Sequence, residues 1–377
     1  MSPSDAATPK GTGREYCALK KRKLHSTTVD TRDTPEQAEL RRSAWQLTRE
    51  LAPATVADLD DTTRTKRLTG AVQDAGWLEL RDDDGDGNPV ATAVESAIVA
   101  EALGAHIADT PFAGPVLAAD LGRRAGVHVP TGSVGLTPTL TSAAVVSGER
   151  TATAAYAVDA GHAPDVVFLL ASDAADDGCR IGRASLDANA TSAGTDLTRT
   201  VEVIPAGAPV HAVADQREPL TRDDLTAWTA LGLALTSADL VGVMRGALQI
   251  TVEYAAGRQQ FGVAIGSFQA VQHLLAEAQC LMEGSSSVAA HAAWSVDALE
   301  PDGALAAGRV AKAYCASAAR TVCETAIQVH GGIGNTWDCL VHVYLRRALL
   351  SSQWFGDDAY HVRALQHERL GASHGLS

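Results

Sequence analysis

Residues 225–254, LTAWTALGLALTSADLVGVMRGALQITVEY, are the stretch of sequence that most strongly decides the fold. Apolar side chains recur in it mainly at three- and four-residue steps, which is the period of one face of an α-helix. Glycine and alanine fill many intervening positions, and glycine lets another backbone approach closely. The stretch therefore predicts a long core helix. Its apolar positions are Leu231, Leu235, Val241, Met244, Leu248 and Val252.

The chain from residue 220 onward is almost free of proline, since only Pro301 of the 14 prolines lies there. Proline breaks helices, so residues 220–377 can be nearly all helical. Alanine-rich segments at 269–299 and 303–328 continue the helical pattern, and a further helix is predicted at 340–352. The region predicts a C-terminal helical bundle. The predicted breaks are Asp302-Gly303 and Gly331-Gly332.

Two regions of different pattern precede the bundle. Residues 35–130 predict an N-terminal helical domain, and residues 131–219, rich in Thr and Val, predict a small middle β domain. The predicted class is α+β, mostly α, in the order helices, strands, helices. The clearest helices are 36–51, 63–75 and 94–103, and the clearest strands are 143–146, 166–170 and 201–204.

Composition excludes several classes of function. The hydrophobic fraction of 46% and the charged fraction of 20% are typical of a folded protein. A net charge of −14 disfavours nucleic acid and anionic membranes as partners. Residues 1–34 are expected to be a disordered leader, although the basic run 20–23 in it also resembles a nuclear signal or a polyanion patch. With no secretory signal and no apolar run of about 18 residues, a cytoplasmic protein is expected.

No metal site is predicted. The six cysteines include no Cys-x-x-Cys pair and are expected to be reduced and mostly buried, and the histidines lack ligand spacing. The acidic loop 82–88 places carboxylates as a calcium-binding loop does, but position twelve of that loop is Ala93 and position eight is Pro89. Without a bidentate glutamate at position twelve, a solvated turn is expected.

A candidate binding segment, RQQFGVAIGSFQ at residues 258–269, follows the long helix. The guanidinium of Arg258 suits a pyrophosphate, the ring of Phe261 can pack against another ring, and the amide of Gln269 can hydrogen-bond an adenosine edge. The alternative is an arginine at a helix end and a phenylalanine buried in the bundle.

This segment resembles the acyl-CoA dehydrogenase family, in which an Arg, a Phe three residues later and a Gln eleven residues after the Arg reach the FAD of a neighbouring subunit. Arg258, Phe261 and Gln269 match all three. A second stretch, QVHGGIGNTWD at 328–338, resembles the other signature of the family. The resemblance implies that Gln328, Gly331 and Gly332 bind the adenosine-pyrophosphate half of the neighbour's FAD. It also implies the helix, β, helix architecture.

The resemblance further implies a catalytic carboxylate at Asp338, facing the chain's own substrate. Many family members have Glu there, as the base that removes the α-proton of an acyl-CoA while hydride leaves the β-carbon for FAD. Aspartate withdraws the carboxylate by about 1.5 Å. A related branch that oxidises nitroalkanes uses Asp as its base, whereas a vestigial or helix-capping Asp is the alternative. A second base position known in the family falls near Gly232, which carries no carboxylate.

The sequence departs from the family in the middle domain. The Thr-Glu-Pro-like, Gly-Ser-Asp and Trp-Ile-Thr-like segments that hold the flavin ring are not recognisable near GLTPTLT at 135–141. Residues that reach a neighbour's flavin are thus retained, and those that hold the chain's own are missing. This asymmetry resembles bacterial α2β2 acyl-CoA dehydrogenases, notably those degrading steroid side chains, in which unlike subunits share each flavin.

We therefore expect a flavin-sharing subunit of an acyl-CoA dehydrogenase, with FAD, an acyl-CoA substrate, a second acyl-CoA dehydrogenase subunit and an electron-transfer flavoprotein as its ligands and partners. Two alternatives remain open. One is a homotetramer that uses Asp338 on an acyl-CoA or a nitroalkane-like acid. The other is a non-enzymatic scaffold that keeps the bundle for oligomerisation.

Overall fold

The computed structural model describes residues 32–129, 132–147, 150–160, 165–171, 178–186 and 194–373. Residues 33–377 form one compact unit by their contacts. The predicted leader, with its basic run at 20–23 and Cys17, lies outside the described residues up to residue 31. Its last residue, Thr34, caps the first helix.

Four helices form the N-terminal region: α1 (Pro35–Leu51), α2 (Thr62–Asp74), α3 (Ala93–Ala105) and α4 (Ala113–Arg124). Helix α1 begins with a capping box, because the Thr34 hydroxyl accepts the N–H of Gln37 while the Gln37 side chain accepts the N–H of Thr34. Pro115 lies inside the first turn of α4. A proline is tolerated there because the first N–H groups of a helix have no intrahelical partner.

The middle region forms a mixed seven-stranded sheet in the order β6-β3-β1-β4-β5-β7, with β2 pairing to β4 off this path. The pairs β1–β4 and β2–β4 are parallel, and the other pairs are antiparallel. The predicted strand at 143–146 is reduced to two residues, while the other two predicted strands are present. The strands are β1 (Ser133–Leu136), β2 (Val145–Val146), β3 (Ala155–Val158), β4 (Asp165–Ala171), β5 (Cys179–Ser185), β6 (Val201–Ile204) and β7 (His211–Ala212).

The C-terminal region is helical, as predicted. The break between the second and third long helices falls at Leu299 and Glu300 rather than at residues 302–303, because Pro301 occupies the first position of the third helix. The domain boundaries near 130 and 220 agree with this element order and stay a prediction. The helices are α5 (Arg222–Gly257), α6 (Gln269–Ala298), α7 (Pro301–His330), α8 (Val341–Gln353) and α9 (Asp358–Ser373).

Helix α5 is the core helix, and α3 crosses it at glycines. A Cβ built on Gly242 would lie 2.1 Å from the carbonyl oxygen of Glu101, and one on Gly246 would lie 2.0 Å from that of Ala105. The two backbones are therefore in direct contact. Contrary to the sequence expectation, α5 is long and apolar enough to cross a membrane. However, 94% of its most apolar 18-residue stretch is buried inside the protein.

In the described part of the chain, neither the thiols nor the acidic loop belong to a group of three or more side chains that could bind a metal ion. All five cysteines there are unpaired, but only Cys315 and Cys323 are buried, so "mostly buried" was wrong. Burial raises the pKa of each of these two thiols to about 12. In the acidic loop, the carboxylates of Asp83 and Asp84 accept backbone N–H groups of the loop itself.

Candidate functional site

The binding segment predicted at 258–269 forms a tight hairpin at the end of α5. The backbone N–H of Arg258 donates to the carbonyl of Tyr254 (2.8 Å), and the Arg258 carbonyl accepts the N–H of Ile265 (2.8 Å). Strands β8 (Gln259–Gln260) and β9 (Val263–Ala264) pair between these two contacts. Arg258 thus ends the helix with its backbone and leaves its side chain exposed to solvent.

Phe261 lies at the tip of this hairpin, where both its backbone conformation and its exposure to solvent are unfavourable. Its φ of 55° lies in the left-handed region, which costs a non-glycine residue about 1–2 kcal/mol. Its side chain is 94% exposed and meets Phe268 edge-on at 6.3 Å between ring centroids. The buried-phenylalanine alternative is therefore wrong. Gln269, the first residue of α6, is exposed beside it.

The second predicted segment follows the last turn of α7. Gly331 ends that helix with φ 65° and ψ −142°, which explains why glycine stands there. Gly332 has no positive φ, and a Cβ at either glycine would meet no protein atom within 4 Å. Packing within this chain therefore does not require Gly332. The backbone at both glycines, and the nearby side chain of Gln328, face open space.

A stacked ring pair joins the two segments. The rings of Tyr254 and His330 lie 4.3 Å apart between centroids and are inclined by 19°. The Tyr254 hydroxyl also reaches the carbonyl of His330 at 3.5 Å. Residues separated by about seventy positions in the chain thus share one surface. Neither ring was assigned a role from the sequence, although the Tyr lies four residues before Arg258 and the His directly before Gly331.

His330 is held in a defined orientation. Its Nδ1 is 2.8 Å from the carbonyl oxygen of Ala326, so Nδ1 carries the proton and donates. Burial lowers the pKa of His330, while this hydrogen bond opposes the shift. The ring is therefore neutral near pH 7 and stacks on Tyr254 as an uncharged plane.

Asp338 lies on the surface, in the turn before α8. Its side chain is exposed, and its backbone N–H donates to the Thr336 hydroxyl at 3.4 Å. Trp337 beside it is 64% exposed, with its ring edge-on to His342 and below the guanidinium of Arg346. Asp338 does not line the buried cavity described next.

That cavity lies where α3, α5 and α8 meet the sheet region. Its volume is about 10 Å³, which holds about one water molecule and no ring. Binding clefts usually form at such junctions between domains. Here the junction is filled by side chains. The lining includes Leu103, Phe112, Asp159, Thr236, Asp239 and Trp354.

A buried ion cluster centred on Asp239 of α5 fills this junction. Asp239 Oδ1 accepts from Arg347 Nη2 (2.7 Å) and lies 2.8 Å from Arg199 Nη2, while its Oδ2 accepts from the Ser351 hydroxyl (2.7 Å). Arg347 also donates to the Ala108 carbonyl (2.8 Å). Arg199 precedes β6, so the cluster fastens the sheet region to the helices.

The charges of the cluster compensate one another. Burial alone would raise the pKa of Asp239, but Arg199 and Arg347 outweigh it and lower that pKa. Burial alone would lower the pKa of Arg347, but Asp239 raises it. Asp239 and Arg347 are therefore ionised at neutral pH. None is free to bind a ligand, since each charge is already paired.

The second base position, near Gly232, is occupied by a ring. A Cβ on Gly232 would lie 2.4 Å from Phe355 Cζ. Phe355 has a φ of 67° and packs edge-on against Trp228 at 5.4 Å. Its backbone N–H donates to the carbonyl of Leu140 (2.8 Å), which lies in the 135–141 segment where a flavin cradle was sought. This hydrogen bond ties one end of that segment to the chain that follows α8, while Pro138 and Thr139 in its middle are exposed.

Comparisons with known proteins agree with the sequence signatures. The family model for the acyl-CoA dehydrogenase C-terminal domain matches residues 230–370. Over 120 residues the chain is 43% identical to acyl-CoA dehydrogenase FadE34 of Mycobacterium tuberculosis, covering 31% of this chain and 17% of that protein. Over 155 residues it is 36% identical to acyl-CoA dehydrogenase IpdE2 of the same organism, covering 41% and 46%. Each match spans less than half of the relative.

The fold is similar to a chain of the ChsE4-ChsE5 complex from Mycobacterium tuberculosis. The TM-score is 0.70, with 22% identity over 93% of this chain and 100% of that chain. Identity at this level shows a shared fold. Residues 230–370 therefore match the C-terminal domain of the acyl-CoA dehydrogenase family, and the fold is similar to that of a solved structure over 93% of the chain. The family and fold class predicted from the two signatures are confirmed.

Proposed function

We propose that this chain is the flavin-sharing subunit of an acyl-CoA dehydrogenase, acting with a second, unlike acyl-CoA dehydrogenase subunit in a heterotetramer. The proposal rests on one asymmetry of the structure. The residues expected to reach a neighbour's cofactor are exposed, whereas the junction that would hold the chain's own ligands contains a cavity of about 10 Å³. A chain that worked alone would need the opposite arrangement at that junction.

The exposed surface fits the nucleotide half of FAD. Arg258 offers an exposed guanidinium, which suits a pyrophosphate. Gly331 and Gly332 offer backbone with no side chain in the way, and Phe261 offers a ring face. We infer that Gln269 and Gln328 provide amides to the adenosine. The flavin-ring half finds no matching cradle at 135–141.

In this assembly the bound FAD supplies the hydride acceptor for α,β-dehydrogenation of an acyl-CoA. The residues of this chain bind and orient the nucleotide: Arg258 balances the pyrophosphate charge and Phe261 excludes water from the cofactor. A carboxylate of the partner would remove the α-proton, and an electron-transfer flavoprotein would accept the electrons. We place this complex in the cytoplasm.

Asp338 has a catalytic role only if the chain's own site binds flavin. Its side chain is exposed and does not line the buried cavity. Both facts support a divided site, that is, a flavin site shared between two unlike subunits. The names of similar proteins support the class of reaction, since FadE34 and IpdE2 are both called acyl-CoA dehydrogenases. The similar ChsE4-ChsE5 structure is a complex of two differently named chains.

Replacing Arg258 by alanine is expected to weaken FAD binding by the co-expressed complex about tenfold to a hundredfold. A hydrogen bond to a charged group contributes about 1.5–3 kcal/mol, and each 1.4 kcal/mol is tenfold in affinity. The measurement is the FAD dissociation constant of the flavin-stripped complex, by flavin fluorescence. Arg320→Ala, at an exposed arginine of α7, is the matched control and should bind FAD as the unchanged complex does. Equal affinities for all three proteins would refute the proposed site.

A further inference from the structure

The two nucleotide-binding segments are each braced from within. In the hairpin, the amide of Gln272 donates to the Gly266 carbonyl at 3.0 Å. In the turn after α7, the N–H of Thr336 donates to the Ile333 carbonyl at 3.0 Å. Such local contacts fix the shape of each segment. They do not fix the distance from one segment to the other, which must be set elsewhere.

The Tyr254–His330 pair joins the last turns of α5 and α7, the two helices that the segments follow. Tyr254 lies one helical turn before Arg258 and accepts its backbone N–H at 2.8 Å. His330 is bonded directly to Gly331 and is only 7% exposed. Its Nδ1 donor bond to Ala326 prevents rotation of the ring. A near-parallel stack at 4.3 Å therefore joins the start of one segment to the start of the other.

We propose that Tyr254 and His330 are positioning residues for the nucleotide half of the flavin, because their stack sets the spacing between the Arg258 side chain and the Gly331–Gly332 backbone. The inference rests on the proposed function and adds two residues to it. Neither residue is required to touch the cofactor. Their effect on binding passes through the two segments that they hold in register.

The substitution Tyr254→Leu removes the ring plane, and Tyr254→Phe keeps it while removing the hydroxyl. An aromatic pair contributes about 0.5–1.5 kcal/mol beyond its burial. If this energy holds the two segments in their binding geometry, Tyr254→Leu weakens FAD binding by up to about tenfold. Tyr254→Phe binds FAD normally, because the hydroxyl contact at 3.5 Å is long for a hydrogen bond.

Comparing FAD with FMN separates positioning from general damage. FMN lacks the adenosine half, so it does not depend on the spacing between the two segments. The flavin-stripped heteromeric complex is titrated with each flavin, for the unchanged protein, Tyr254→Phe and Tyr254→Leu. His330→Leu removes the same stack from its other side, and serves if Tyr254→Leu does not assemble.

We expect the leucine variants to raise the dissociation constant for FAD about twofold to tenfold, leaving that for FMN unchanged. Unchanged FAD binding by the leucine variants, or equal weakening of FAD and FMN, would overturn the positioning role. The proposed function fails separately, and visibly, if the unchanged complex binds no FAD or if Arg258→Ala has no effect.

Discussion

Replacing Asp239 by alanine is expected to lower the free energy of unfolding by about 3–5 kcal/mol, the largest effect that we predict for a single side chain. Asp239 balances two buried guanidinium groups, those of Arg199 and Arg347, whose side chains are 4% and 3% exposed. Removing the carboxylate leaves both buried guanidinium groups without the counter-charge that they contact directly. The Ser351 hydroxyl also loses its acceptor.

Urea unfolding of the purified chain measures this effect. The matched control is Asp165→Ala, which breaks the Asp165–Arg183 pair of the sheet (3.6 Å), where both side chains are about 30% exposed. Partly exposed pairs of this kind contribute at most about 1 kcal/mol. If Asp239→Ala cost no more than Asp165→Ala, the cluster would not fasten the sheet region to the helices as described.

The second large effect is expected for Gly242→Ala, which should destabilise the chain by about 2–3 kcal/mol. The new Cβ would lie 2.1 Å from the Glu101 carbonyl oxygen and 2.8 Å from the Ala105 nitrogen, both backbone atoms of α3. Backbone cannot turn aside as a flexible side chain can. Helix α3 must therefore shift away from α5, and the packing between the two helices loosens.

The same substitution at Gly70 is expected to stabilise the chain. Gly70 lies inside α2, and a Cβ there meets nothing within 4 Å. Alanine is a better helix former than glycine, so Gly70→Ala should stabilise the chain by up to about 1 kcal/mol. Unfolding midpoints for the two variants test both signs at once. A stable Gly242→Ala variant would show that α3 and α5 are not in direct backbone contact.

The sequence predicted those features that depend on local chemistry. The long helix α5 followed from apolar spacing, and the bundle followed from the near absence of proline after Pro219. Local chemistry also explains the errors. The break predicted at Asp302-Gly303 falls at Leu299 and Glu300 instead, because Pro301 lies in a first helical turn, where its missing N–H is harmless.

Features that depend on distant pairing could not be predicted. Arg199, Asp239 and Arg347 are separated by 40 and 108 positions, and no local pattern marks them as partners. The stacking of Tyr254 on His330 could not be predicted for the same reason. The exposure of Phe261 agrees with its predicted role at a neighbour's flavin, whereas residue type alone would indicate a core position.

The filled junction around Asp239 is the main structural support for a flavin site shared between unlike subunits. In the part of the chain that the structure describes, the ion cluster of Asp239, Arg199 and Arg347 leaves a cavity of only about 10 Å³ at this junction, too small for a flavin ring. The Phe355 ring fills the space beside Gly232. Gly332 and the exposed side chain of Arg258 are not explained by packing within this chain. Both observations have one explanation if the cofactor belongs to a neighbouring, unlike subunit.

The most direct test is the flavin absorbance per mole of protein, measured for this chain expressed alone and then with the acyl-CoA dehydrogenase encoded beside it. We predict colourless protein alone and about one FAD per unlike pair in the complex. A homotetramer that is yellow on its own, with nearly one FAD per chain, would contradict the divided site and make Asp338 the base to mutate. Protein that stays colourless with every candidate partner would instead indicate a non-enzymatic scaffold.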